Sequence, residues 1–241
     1  MSDPPTTRIA QAFPDRVEVR GRDLTGELMG RVTFTEYVHL LLTGEEPAED
    51  QRFFLDLLLV AIAEHGLMPT NVAARMTLAA DPNSLQGAVA AGILGAGPVV
   101  LGTAEECARL LQREGDPAEL VAEIRAAGGK VPGFGHPVHK PVDPRAERIL
   151  ELADERGVSG AFVARARAFH EAVGLTMNVS MPIAAVMLDL GFPPDSVKAV
   201  PVLARTASLL AHLAEEREAP TGFALARAAE DAVEYEPDAR A

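Results

Sequence analysis

Along most of this chain apolar residues recur every three or four positions rather than alternating, a spacing that predicts helix after helix. Thr33, followed three residues later by Glu36, has the form of a capping box. The helix it opens runs through YVHLLLT and stops at Gly44, a natural C-terminal cap. A second helix is expected at about 49–64, with Phe53, Leu57 and Val60 on one face and His65-Gly66 ending it. Further helices are expected at about 104–114, 117–127, 144–156, 160–173, 182–190 and 195–216. Only VEVRGRDLTGELMGRVTF, residues 17–34, carries short β-like pieces separated by glycines, a turn-rich entry to the fold after a flexible lead-in over 1–16. The fold class expected is all-α.

Gly87, Ala91 and Gly95 recur every four residues, as do Gly92 and Ala96. Small residues at that spacing make a smooth helix face, suited to a central helix or a subunit interface. The apolar run around them, 87–101, is broken by glycines and Pro98 and falls short of the about 20 residues a membrane span needs. The opening MSDPPTTRIAQAFPDR has no basic segment followed by an apolar one, so no signal peptide is predicted and a cytoplasmic location is expected.

Composition narrows the picture. With 48% hydrophobic and 24% charged residues the chain reads as an ordinary globular protein. No tryptophan, 5% aromatics and a net charge of −13 argue against a nucleic-acid partner. Cys107 stands alone, which excludes an internal disulfide framework and a cysteine metal site and leaves a buried small hydrophobe.

Three stretches carry chemistry that composition does not explain. KVPGFGHPVHKP, residues 130–141, sets His136 and His139 three apart in a proline-guarded loop. Asp143 and Pro144 then open a helix as N-cap and first residue, which puts Arg145 in the first turn, where the helix dipole favours anions rather than a cation. A bound carboxylate or phosphate would relieve that conflict; so would pairing with Asp143. Arg205 lies among Val202, Leu203, Ala204, Ala207, Leu209 and Leu210, and a buried guanidinium needs an anion from the protein or from a ligand. His212 shares its face. His65, at a helix end before glycine, reads as a hydrogen-bonding residue or a catalyst. A zinc site at His136 and His139 is not expected, because no cysteine or further histidine lies nearby in the sequence. Phosphate-loop, nucleophile-elbow and dinucleotide signatures are absent from the sequence.

In order and position, the segments RGRDLTGELMGRVTFTEYVHLLLTGEEP, EHGLMPTNVAAR, GFGHPVHKPVDPR, MNVSMPIAAVMLDLGFP and ARTASLLAHLAEE resemble the citrate synthase superfamily over about 19–216. GFGH followed by DPR is the most specific element. The length is more similar to compact citryl-CoA lyase-like members than to a full citrate synthase, and the C-terminal part of ATP-citrate lyase is also similar. The resemblance implies a helical homodimer of two-domain subunits with the active site in the cleft, residues 1–104 and 201–241 forming the large domain and 105–200 the small one. It implies that His136 contacts the keto or hydroxyl oxygen of a dicarboxylate. It further implies that His65, Arg145 and Arg205 line the carboxylate pocket, and that Val131, Pro132, Gly133, Phe134 and Gly135 hold the adenine end of coenzyme A. Coenzyme A would be part of the substrate, with no covalently bound cofactor.

The resemblance breaks where the family needs a carboxylate base and a histidine donor to form the thioester enolate. Asn178-Val179-Ser180 has serine where the family has aspartate, and Gly97-Pro98-Val99-Val100 has Val100 where it has histidine. A serine hydroxyl is too weak a base and valine has no donor. Three readings follow. The first is a carbon–carbon lyase or synthase of acyl-CoA and a keto-dicarboxylate, using His136 with help from His139 or Ser180. The second is a catalytically silent relative that binds a CoA ester or carboxylate, or serves as a subunit of a heteromer. The third is a hydrolase of CoA thioesters or β-dicarbonyls.

Overall fold

The computed structural model describes residues 4–236. The entry is a small antiparallel sheet in the order β1-β2-β3, from Ala10–Ala12, Val17–Val19 and Arg22–Asp23. Part of the predicted lead-in is therefore a strand, since Ala10 to Ala12 pair with Val19 to Val17; residues 1–3 and 237–241 lie outside the described part. A π-helical turn, Leu24–Leu28, leads into α1, Phe34–Thr43. Its capping box forms as predicted between Thr33 and Glu36, and Gly44 closes it at φ 86°, a left-handed conformation that glycine adopts without strain.

The other helices are α2 (Glu49–Ala63), α3 (Pro69–Ala80), α4 (Leu85–Leu94), α5 (Thr103–Gln112), α6 (Pro117–Ala126), α7 (Pro144–Glu155), α8 (Ala161–Val173), α9 (Ser180–Asp189), α10 (Ala199–Glu218) and α11 (Gly222–Asp231). The fold is all-α beyond its entry sheet. Three details depart from the sequence reading. Helices α3 and α11 were not predicted. Helix α9 starts at Ser180, two residues early, and α10 starts at Ala199 after a short 3-10 turn, Pro194–Ser196. The core face of α2 is Phe54, Leu55 and Leu58, whereas Val60 is exposed. In α2 the run LDLLLVAIA is apolar around nearly the whole helix, so its periodicity does not select a face.

The largest buried cluster joins α2 to α5–α9 and runs on to Val200. At its centre α9 is buried from Met181 to Leu188, as befits a helix apolar all round. A second cluster ties α3, α4 and α10 through Ala74, Leu78, Ala88, Leu209 and Leu213. Here the small-residue face of α4 has a purpose: a Cβ on Gly92 would lie 2.7 Å from Leu209 Cδ1 and 2.9 Å from the Thr70 carbonyl oxygen, so only glycine allows α3 and α10 this close. The segment Pro194–Glu218 is long and apolar enough to cross a membrane. It is nevertheless packed as a core helix, with Arg205, Ser208 and Glu216 buried along it.

A candidate active site at the His136 loop

A cavity of about 470 Å³ opens between the end of α2, the 97–102 turn, the His136 loop, the start of α9 and the middle of α10. His65, His136, Arg145, Ser180, Arg205 and Val100 all line it. Residues far apart in sequence are thus gathered in one place, including both positions where the family groups are replaced.

The loop is built around Asp143. This carboxylate is fully buried; Oδ1 accepts from the Arg145 backbone N–H (3.1 Å) and Nε (3.0 Å), and Oδ2 from Arg145 Nη2 (2.8 Å) and the Val179 N–H (3.1 Å). Burial raises the carboxyl pKa, but these hydrogen bonds outweigh it and hold the group below the ordinary aspartate value. One residue therefore caps α7, aims Arg145 and anchors the loop to the start of α9. The pairing of Arg145 with Asp143, one of the two alternatives left by the sequence, forms; Arg145 still reaches the cavity.

His136 Nδ1 accepts the backbone N–H groups of Val138 (3.1 Å) and His139 (2.9 Å). With Nδ1 accepting, the proton of the neutral ring sits on Nε2, which makes this histidine a donor toward a substrate oxygen. Burial, then the nearby His139, lowers its pKa, which favours that neutral form.

The fold also brings His65 to the loop. His65 Nε2 and His139 Nε2 stand 3.2 Å apart, the His136 and His139 rings stack with centroids at 4.4 Å, and His65 meets both edge-on at 5.3 Å. The ground on which a metal site was set aside, the lack of a third histidine nearby, is overturned: nitrogen atoms of His65, His136 and His139 lie within 4.8 Å of one another. The donor set still does not suit a metal. A ligating histidine donates its second ring nitrogen to an acceptor. His136 instead receives two N–H groups there and has no neutral lone pair left for a cation. His65 and His139 alone fall short of the three protein ligands of a catalytic zinc site.

Arg205 is 3% exposed. Its Nη1 donates to Asn71 Oδ1 (2.8 Å), and Asn71 is itself buried on α3. Among the described residues Arg205 has no carboxylate within ion-pair distance, and its Nε and Asn71 Nδ2 are buried without hydrogen-bond partners. Burial lowers the arginine pKa, with the charge of Glu64 acting against that shift. Glu64 is a residue the sequence reading passed over. Its carboxylate accepts the His65 (2.9 Å) and Gly66 (2.6 Å) N–H groups, the Ser208 hydroxyl and His212 Nε2 (3.0 Å). It adjoins His65 in the sequence, but an exposed-looking glutamate at a helix end carries no signal. Asn71, also passed over, follows the HG pair within PTN, where it reads as an ordinary turn residue.

The remaining predicted residues sit at varying distances from the cavity. His139 is half-buried behind His65 and His136 rather than on the wall. Of the five residues matched to a coenzyme A loop, Gly135 lines the cavity. Val131 and Gly133 are buried, and a Cβ on Gly133 would meet Cys107 Sγ at 2.7 Å and Met181 Cβ at 2.9 Å. Phe134 stacks on His170, and Gly133 and Gly135 both adopt positive φ to make the bend. Cys107 is wholly buried there and its thiol pKa is pushed up by desolvation, as expected of a packing residue.

Val100 stands in a turn closed by Gly97 N–H to Val100 O (2.8 Å) and Gly102 N–H to Gly97 O (3.0 Å), with Leu101 at φ 66°. A left-handed leucine is strained by about 1–2 kcal/mol. Ser180 opens α9 with its backbone N–H on Asn178 Oδ1 (3.1 Å). With Ile62, Met68 and Ile183 nearby, this end of the cavity is mostly apolar.

Known proteins resemble this chain in sequence and fold. The family model described as citrate synthase, C-terminal domain, matches residues 31–228. The citrate synthase of Haloferax volcanii is 31% identical over 191 residues, 74% of this chain and 50% of that protein. A putative citrate synthase 2 of Mycobacterium tuberculosis is 31% identical over 179 residues, 68% of this chain and 47% of its own. The chain thus spans about half the length of these curated relatives. Among solved structures, citryl-CoA lyase from Hydrogenobacter thermophilus aligns with a TM-score of 0.87 at 29% identity, over 98% of this chain and 96% of that one. ATP citrate lyase from Methanothrix soehngenii, solved with citrate and coenzyme A, shares the fold at a TM-score of 0.80 and 20% identity, covering 99% of this chain and 43% of its own. A family model spanning most of the described residues, a relative of this identity and a fold shared end to end agree: the chain belongs to the citrate synthase family.

Proposed function

We propose that this protein makes or breaks the carbon–carbon bond between an acyl-CoA and a keto-dicarboxylate, in the manner of a citryl-CoA lyase. The observation that carries this reading is Arg205, a buried cation on the cavity wall with no carboxylate within ion-pair distance among the described residues and an unpartnered Nε. An uncompensated buried charge is costly by several kcal/mol, and a substrate carboxylate would offset that cost. Arg145, oriented by Asp143, supplies a second cation across the same cavity, and His136 Nε2 supplies the donor for the keto or hydroxyl oxygen between them. Coenzyme A would enter as part of the substrate along the 131–135 bend, with no separate cofactor. The Ser180 hydroxyl is the polar group closest in position to the missing family aspartate and would donate to the thioester oxygen. In this reading residues 105–200 form the smaller unit of a cytoplasmic homodimer's subunit, set against 1–104 and 201–241.

Mass spectrometry of the products formed from citryl-CoA, and from acetyl-CoA with oxaloacetate, tests the reading directly. Cleavage or condensation is expected, with Arg205→Ala lowering kcat/KM about a thousandfold, since removing one partner of a buried charge pair costs about 3–5 kcal/mol. Unchanged turnover in Arg205→Ala removes the site assignment. Val100 and Ser180 favour one second reading, a silent CoA-ester or carboxylate binder. Calorimetric binding of these ligands without turnover of any acyl-CoA would establish it, and release of free coenzyme A without carbon–carbon change would mark a hydrolase.

A further inference from the structure

His136 cannot serve as the base for a hydroxyl proton, because its Nδ1 is filled by two backbone N–H groups and its Nε2 already carries a proton. Ser180 and Val100 offer no base either. The His65–His139 contact does. Two imidazole Nε2 atoms 3.2 Å apart require one proton between them, and the ring that donates it keeps its own Nδ1 lone pair free. Among the described residues neither His65 Nδ1 nor His139 Nδ1 has a hydrogen-bond partner. Only His65 of this pair lines the cavity.

We propose that His139 accepts the Nε2 proton of His65 and so fixes His65 with a free Nδ1, which exchanges the carbinol proton of the substrate. His65 is then the catalytic base and His139 its positioning partner; the assignment rests on the lyase reading above. In the cleavage direction the hydroxyl proton passes to His65 Nδ1, the carbinol oxygen closes to a carbonyl, and the carbon–carbon bonding pair leaves as the thioester enolate. The enolate carbon takes a proton from water, and the hydroxide formed takes the proton held on His65. No oxidant or further reactant enters. The imidazolium formed in passing relays its Nε2 proton toward His139, so the charge spreads over two rings.

The surroundings suit this cycle. Facing His65 are Glu64 from its own segment, His136 and His139 from the loop, Asp143 and Arg145 at the start of α7, and Arg205 from α10. Burial first, then the charges of Arg145 and His139, keep the His65 pKa below the ordinary histidine value of about 6.5. The ring is therefore neutral and able to accept at neutral pH. Loss of His139 removes one of those opposing groups.

Two measurements on the full chain test this. Two-bond proton–nitrogen correlation spectra of protein labelled with ¹⁵N-histidine, assigned with His65→Gln, should show His65 as the Nε2–H tautomer. His139→Phe should scramble that preference. A wild-type His65 in the Nδ1–H form overturns the proposal, even if His139→Phe fails to fold. In turnover, His139→Gln should lower kcat about tenfold to a hundredfold, toward the lower end of general-base effects, with KM within about twofold. Imidazole should partly rescue His139→Ala. No rescue leaves His139 a packing residue and sinks the idea. If the wild type turns over no acyl-CoA, the lyase reading fails on its own and the tautomer spectrum alone decides this one.

Discussion

The two ends of the cavity are made on opposite principles. At one end Arg145, Arg205, His65 and His136 gather cationic and donor groups, each held by a partner buried in a helix or at its cap: Asp143, Asn71, and the backbone of the loop itself. At the other end Val100, Leu101 and Ile183 present apolar surface, with Ser180 among them. The first end keeps the means of holding a dicarboxylate, and the second lacks the groups that form an enolate from an acyl-CoA methyl. In the proposed reading, recognition and enolisation would be separable in this fold. Buried electrostatic partners fix the first, whereas the second rests on two side chains that can change without disturbing the core.

The sharpest way to break that comparison is to remove the anion end. Arg205→Ala, with its expected thousandfold loss, should abolish dicarboxylate binding and leave CoA-ester binding by calorimetry within a few-fold. Equal loss of both would mean that the two ends are one site. The converse is to restore the apolar end with Val100→His and Ser180→Asp together. If only those groups are missing, deuterium exchange into the methyl of acetyl-CoA should rise at least about a hundredfold, the lower range of general acid–base catalysis. No gain would show that the surrounding wall, not the two residues, prevents enolisation.

A stability measurement separates the ends further. Arg205→Met replaces a buried cation with no ion pair among the described residues by an apolar chain, and a gain in stability is expected without ligand. At about 2–4 °C per kcal/mol for a domain of this size, a thermal melt resolves it. The variant should also lose any melting shift caused by citrate. The smallest effect belongs to the apolar end. Leu101→Gly relieves about 1–2 kcal/mol of left-handed strain against a glycine entropy cost of about 0.5–1 kcal/mol, so its melting temperature should rise by no more than a few degrees. A clear fall would give the Leu101 side chain a packing role.

Much of this could be read from the chain, and what could not has physical causes. Helix α1 announced itself through the local capping box at Thr33 and Glu36 and the Gly44 stop. Helix α3 did not, because the residues it buries include Thr70, Asn71 and Arg75, polar groups that hydropathy patterns assign to the surface. Arg145 and Arg205 were legible as misplaced cations, one at the wrong end of a helix and one in an apolar run. The partner of Arg145 was adjacent in sequence, so it could be named; Asn71, the partner of Arg205, is on another helix and could not. The histidine cluster is the extreme case. His65 and His139 are 74 positions apart, and no local pattern connects them.

Glu64 has a consequence for how the site holds its shape. Its carboxylate fastens the turn bearing His65 to α10, which bears Arg205, through Ser208 and His212. His212 in turn accepts from Arg75 on α3, and Arg75 pairs with Glu216. Glu64 thus ties His65 and Arg205 to one support. A second support is the loop and α7, held by Asp143 with His136, His139 and Arg145 on it. The His65–His139 hydrogen bond joins these two supports. In the proposed mechanism the tautomer of His65 rests on that contact.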